Sequence, residues 1–169
     1  MLTPWIQNTS LIDIKRGTHM DAGPNSMLIQ ICDPPGDFPT PHYQFASVHQ
    51  FQFLDVEETD HVLDEAMRCS HDQARSLVLL LKQAFANRTN VIVHCHAGVC
   101  RSGAVCEVGV MLGFRDTEVF RSPNLLVKHR MMRALGWTYD ENEPHTINGQ
   151  PYQYSNGGII LPPTHEGDI

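Results

Sequence analysis

The chain has 169 residues, 41% of them hydrophobic, which suffices for one compact domain with a sizeable core and is short for two. Its net charge of −7 gives no global footprint for nucleic acid, and no run of about twenty apolar residues offers a membrane helix. The N-terminus lacks the basic start and apolar core of a signal peptide, and the 5 cysteines have no regular spacing, so a soluble cytoplasmic protein without a disulfide framework is expected, with neither nucleic acid nor membrane as partner.

In chain order, residues 27–32 (MLIQIC) read as a short apolar strand closed by the breaker cluster Asp33-Pro34-Pro35-Gly36, and a Pro-rich loop runs on to about Ser47. Residues 48–54 (VHQFQFL) alternate as a strand ending at Asp55. Ser70-His71-Asp72-Gln73 matches a capping box, followed at helical spacing by Ala74, Leu77, Val78, Leu81, Ala84 and Phe85. A strand over 91–94, a turn, and a mostly apolar helix over 102–114 come next; Ser122-Pro123-Asn124 opens a last helix that reaches about Leu135 before Gly136. Strands alternating with helices predict an α/β fold, with a central, mostly parallel sheet of about four to five strands flanked by helices. Residues 1–138 are expected to form a single domain, and 139–169, rich in Pro, Gly and Asn and without periodicity, an irregular tail or strap, although Ile159-Ile160-Leu161 could dock on the domain or add an edge strand.

The stretch His94-Cys95-His96-Ala97-Gly98-Val99-Cys100-Arg101-Ser102-Gly103 lies at the turn from strand to helix. It places a cysteine six positions before an arginine where a helix begins, and unpaired N–H groups and the positive dipole end favour an anion there. The cysteine–arginine spacing alone is weak; His before the cysteine, Gly three after it and Ser after the arginine make the motif specific.

HCHAGVCRSG resembles the HCxxGxxR[ST] loop of the cysteine-dependent protein tyrosine phosphatase superfamily, and its mid-chain place resembles the compact dual-specificity-like members. The order ICDPP, FQFLDVEE, helix, VIVHCHAGVCRSG and a helix containing PNLLV is similar to small bacterial and phage members, over roughly residues 27–135. The resemblance implies a phosphatase acting on phosphotyrosine, and on phosphoserine or phosphothreonine, in a protein or peptide through a cysteinyl-phosphate intermediate. Cys95 would be the nucleophile, since a thiol reacts as thiolate and a helix N-terminus and a nearby cation favour that form. The amides of His96, Ala97, Gly98, Val99, Cys100 and Arg101 would cradle phosphate oxygens, with Gly98 where the chain turns tightly, and the Arg101 guanidinium would clamp two of them. From the family's motif, Ser102 would help the sulfur leave in the second step, and His94 would support the loop from below.

A leaving alkoxide or phenoxide needs a proton, and the family takes it from an aspartate at the end of the strand before the capped helix. Asp55 holds that position, with Asp60 and Asp64 open as alternatives in the long acidic stretch over 56–69, whose other reading is a solvated loop face. Acidic residues near the pocket disfavour polyphosphates and inositol lipids and suit a phosphopeptide with basic flanks. His94, Cys95, His96 and Cys100 do not make a metal site, because neighbours on a strand point oppositely and no second ligand pair completes it; no metal or other cofactor is assigned. Cys106 reads as packing. Cys100 reads as packing or as a trap for oxidised Cys95. Trp137 and Tyr139 read as packing residues, Asn124 as a helix cap that in relatives braces the active loop, and His42, His49, His61 and His71 lack ligand spacing. Two alternatives stay open: a catalytically weak phosphate-binding module, and a related thiol enzyme such as a sulfurtransferase or arsenate reductase. Oligomeric state and natural substrate do not follow from the sequence.

Overall fold

The computed structural model describes residues 2–57 and 65–137 and, further on, the backbone of four short strands between 146 and 160. Strand β1 (Trp5–Ser10) passes into helix α1 (Leu11–Arg16); β2 (Ser26–Cys32), β3 (Ser47–Gln52), α2 (His71–Ala86), β4 (Asn90–Cys95), α3 (Arg101–Leu112), β5 (Arg115–Asp116) and α4 (Leu125–Ala134) come after it in turn. Five strands pair in the order β3-β2-β4-β1-β5, every ladder parallel, so the expected α/β architecture with a parallel sheet is what forms.

The predicted elements all appear, with shifted ends. Strand β3 stops at Gln52 rather than Leu54, because Leu54 N–H turns to the Met67 carbonyl (2.8 Å) and the Phe53 carbonyl is taken by Arg101 (2.8 Å). The capping box is present in both directions: Ser70 Oγ accepts from Gln73 N–H (3.0 Å) and Gln73 Oε1 from Ser70 N–H (2.9 Å). Helix α3 ends at Leu112 because Gly113 turns left-handed at φ 118.

The sequence pattern does not reveal β1, α1 or β5. β1 (WIQNTS) neither alternates nor runs apolar, yet it lies second from the edge, with Gln7, Asn8 and Thr9 buried. Central β4 is covered on both faces and correspondingly apolar, with Val91, Ile92 and Val93 all at 0% exposure. One core cluster joins Ile29, Phe53, Leu77, Leu81, Val93 and Val105 between the sheet and α2 and α3; a smaller one on the opposite face holds Ile14, Leu28 and Ile92. Each such side chain contributes about 1.5–3 kcal/mol on full burial, and together they make β4 a stiff base for the loop at its carboxyl end.

In the tail, β6 (Thr146–Ile147) pairs antiparallel with β7 (Gln150–Pro151), and β8 (Gln153–Ser155) with β9 (Gly158–Ile160). Ile159 and Ile160 thus pair with a neighbouring tail strand. Tyr139 and Leu161 lie outside the described residues, as do Asp60, Asp64, Glu58 and His61. Trp137 packs against the main core, as a packing residue should. No helix among the described residues is long and apolar enough to cross a membrane.

Candidate active site

In a parallel sheet, sites form outside the carboxyl ends of the strands. Cys95 ends the central strand there, buried at 2% exposure, with its Sγ 3.2 Å from the Oγ of Ser102 in the first turn of α3. The loop between them is held from outside by its carbonyls. His96 O accepts from Leu11 N–H (3.2 Å), Gly98 O from Asn8 Nδ2 (2.8 Å), Val99 O from Ser122 N–H (3.1 Å), and Cys100 O from Ala104 and Asn124 N–H (both 2.9 Å). In a trans peptide C=O and N–H point in opposite directions, so the amides of Ala97, Val99, Cys100 and Arg101 face away from these partners, toward the loop's interior. Gly98 makes the turn possible: its φ is +76, and a Cβ there would stand 2.3 Å from the Thr9 carbonyl carbon.

Arg101, the first residue of α3, is 4% exposed. Its Nη1 donates to Asp33 Oδ1 (2.6 Å) and to the Phe53 carbonyl (2.8 Å), while its Nε is buried without a hydrogen-bond partner. The fork is therefore anchored at one corner and keeps an unsatisfied donor, the arrangement that a planar oxyanion-binding group needs.

His94 is fully buried, and burial pushes its pKa down to about 4, with the Arg101 charge acting in the same direction. The ring is thus neutral at pH 7. A carbonyl can only accept, so the Nδ1 that lies 3.3 Å from Cys95 O carries the proton and donates it to that carbonyl, where the strand enters the loop.

Asp55 is exposed and tied to the loop from the side. Asn124 Nδ2 donates to Asp55 Oδ1 (2.7 Å) and to Val56 O (3.1 Å), while Asn124 Oδ1 caps α4 by accepting from Val127 N–H (3.1 Å). Cys100 adjoins Asp55: burial first, then the neighbouring Asp55 carboxylate, raises its thiol pKa. Cys32, beside Arg101 and Cys95, is also raised by burial. Cys69 and Cys106 are pushed up to about 12 by burial, which fits the packing role expected of Cys106. All 5 cysteines are free thiols.

The predicted residues Cys95, Ser102, Arg101, His94 and Asp55 are thus brought around one loop. Asp33 and Asn8 join them without having stood out in the sequence. Asp33 reads there as part of a breaker cluster, although an aspartate just past the carboxyl end of a parallel strand is itself a site signal. Asn8, 1% exposed, bridges Gly98 O and Phe120 O (3.0 Å); an asparagine within a strand has no local signature for that task. Among the described residues, no group of three or more His, Cys, Asp or Glu side chains could hold a metal ion.

Among solved structures, OH1 from the Orf virus, described as a tyrosine phosphatase with triple substrate specificity, is 23% identical, with a TM-score of 0.44 over 66% of this chain and 58% of its own. The chain thus spans 58% of the length of that viral protein. The human tyrosine phosphatase-like serine/threonine/tyrosine-interacting protein is 16% identical, with a TM-score of 0.45 over 67% of this chain and 78% of its own. No curated protein sequence matches. The family model described as protein-tyrosine phosphatase matches residues 47–142, more than half the chain and the whole span from β3 through the Cys95 loop to α4; the chain belongs to the protein-tyrosine phosphatase family.

Proposed function

We propose that the chain is a protein phosphatase that hydrolyses phosphotyrosine, and phosphoserine or phosphothreonine, through a cysteinyl-phosphate intermediate. The observation that carries this reading is the outward engagement of the loop carbonyls, which turns a ring of N–H groups toward the interior next to Cys95 and the unpartnered Arg101 Nε. Such a ring is complementary to a phosphoryl group, whose oxygens gain charge-assisted bonds in the transition state.

In the first step the Cys95 thiolate attacks phosphorus, the bond to the leaving oxygen breaks, and Asp55 gives that oxygen a proton. Water then attacks the thiophosphate, Asp55 takes its proton, and the sulfur leaves as thiolate beside the Ser102 hydroxyl 3.2 Å away. Inorganic phosphate is the product. Proton donation of this kind is worth about 10²–10⁴-fold. The bond from Asn124 supports Asp55 as the acid, because it fixes that carboxylate beside the loop.

Asp55 and Glu57 on one side, and a small cavity of about 160 Å³ lined by Asp33, Asp37 and His96 on another, make the surroundings acidic. A phosphopeptide with basic flanks suits them better than a polyphosphate. The free cysteines support a reducing, cytoplasmic setting, and residues 1–138 are taken as the catalytic domain, with 139–169 as a strap.

Hydrolysis of a panel of phosphotyrosine, phosphoserine and phosphothreonine peptides by the wild type and by Cys95→Ser tests this reading. Turnover that Cys95→Ser abolishes, together with a phosphate adduct on Cys95 by mass spectrometry, is expected. Binding without turnover would leave a phosphoprotein-binding module, and a persulfide on Cys95 a sulfurtransferase.

A further inference from the structure

A second cationic site lies outside the Cys95 loop. Between α2 and α4 a cavity of about 360 Å³ is lined by His71, Arg75, Arg130, Arg133 and Ala134. His71 and Arg75 are four apart on the first turns of α2, and Arg130 and Arg133 three apart on α4, so each pair projects from one face of its helix. Three of the 12 lysines and arginines of a chain with net charge −7 are thereby gathered at one cavity, and among the described residues that line it none is acidic.

Several features hold this cluster together against its own repulsion. Arg130 Nη1 donates to the Cys69 carbonyl at 2.6 Å, fixing its guanidinium at the wall. The wall formed by His71 is the N-terminal turn of a 16-residue helix, the positive end of its dipole. Asp72 approaches Arg75 at 3.2 Å, but their side chains are 90% and 65% exposed, and water screens such a pair. Gln73 Nε2 donates to Gln52 O (3.1 Å), which ties this end of α2 to the carboxyl end of β3, the end of the sheet where Cys95 stands.

We propose that this cavity is a second oxyanion site that binds a phosphoryl group, presented by a phosphorylated side chain of a partner protein or as free inorganic phosphate. Planar guanidinium forks from two helices match the tetrahedral, multiply charged oxygens of phosphate better than a single carboxylate, and the volume admits such a group. The site does not depend on the catalytic reading of the Cys95 loop.

The test uses the full chain, ¹⁵N-labelled and carrying Cys95→Ser, titrated at constant ionic strength with inorganic phosphate in one arm and a phosphothreonine peptide in the other. Saturable amide shifts at 71–76 and 130–134, separate from those at 96–102, are expected in at least one arm, and the tighter arm identifies the source. Arg75→Ala with Arg133→Ala should weaken that second set at least about tenfold, the consequence of losing two charge-assisted contacts, and leave the set at 96–102 in place. Both side chains belong to exposed residues, and the dispersed spectrum itself reports folding. In the otherwise wild-type chain, turnover of a small aryl phosphate should be unaltered by this pair. Absence of saturable shifts at 71–76 and 130–134, equal shifts with chloride, or undiminished binding in the double variant would overturn the site.

Discussion

Arg101 and Asp33 form an ion pair of 2.6 Å between the start of α3 and the end of β2, with the arginine side chain 5% and the aspartate side chain 59% exposed. The pair joins two elements whose partners are 68 positions apart in sequence. It turns a flexible side chain into a fixed fork, because the same Nη1 also meets the Phe53 carbonyl, while Nε is buried without a hydrogen-bond partner, free for an oxyanion in the proposed function.

Asp33→Ala should therefore loosen the clamp without unfolding the protein. Because Asp33 is largely exposed, the change in stability is expected to stay within about 1 kcal/mol. Loss of one charge-assisted anchor on a group that strengthens its contacts in the transition state should lower kcat/KM for an aryl phosphate about tenfold. Steady-state kinetics beside urea unfolding measures both, and unchanged kcat/KM would remove the anchoring role.

Asn124 does two jobs that can be separated. Asn124→Ala loses the α4 cap, worth about 1 kcal/mol, together with the bonds to Asp55 and Val56. Asn124→Asp keeps an equally good cap but replaces the donor facing Asp55 with a second carboxylate. Both variants should slow a substrate with a poor leaving group, such as phenyl phosphate, about tenfold more than p-nitrophenyl phosphate, since only the former needs the proton. Equal losses on the two substrates would mean that Asn124 acts on the fold alone.

What the sequence showed and what it hid divide by the reach of each interaction. Helix α2 is legible because Ser70, Gln73 and the apolar positions from Ala74 to Ala84 act within a few residues of one another. Cys95, Arg101 and Ser102 are legible because one loop carries all three. β1 is not, because the side-chain amide of its buried Asn8 donates to carbonyls 90 and 112 positions on. Asp33 looks like a turn residue until α3 delivers its arginine, and what distinguishes Asp55 within its acidic stretch is a bond to Asn124 across 69 positions. Composition and periodicity carry no record of such pairings.

Gly98→Ala tests the cradle directly. A left-handed conformation costs a non-glycine residue about 1–2 kcal/mol, and here the new methyl would also press on the Thr9–Ser10 backbone at 2.3–2.5 Å. The loop must shift away from β1, breaking the Asn8 bond to Gly98 O. A loss of roughly 2 kcal/mol or more in urea unfolding is expected, with activity reduced at least about a hundredfold because misplaced amides no longer converge. Near-normal turnover would show that the loop is not held as the carbonyl bonds imply.

His94 should make the fold sensitive to mild acid. Burial holds its pKa at about 4, against 6.5 in an exposed chain, so the unfolded state takes up a proton that the folded state refuses. Its contribution, about 3 kcal/mol in all, is fully present above about pH 6.5 and is lost as the pH drops from there toward 4. Asp13 and Asp116, whose pKa values are lowered chiefly by hydrogen bonds from Thr18 and Arg121, act at lower pH, beginning only as the pH approaches the ordinary carboxylate value of 3.8. Urea unfolding near pH 7 and near pH 4.5 should therefore show a loss of about 2–3 kcal/mol in the wild type and a clearly smaller one in His94→Asn, which cannot titrate. A variant that loses as much as the wild type over this interval would place the acid sensitivity elsewhere.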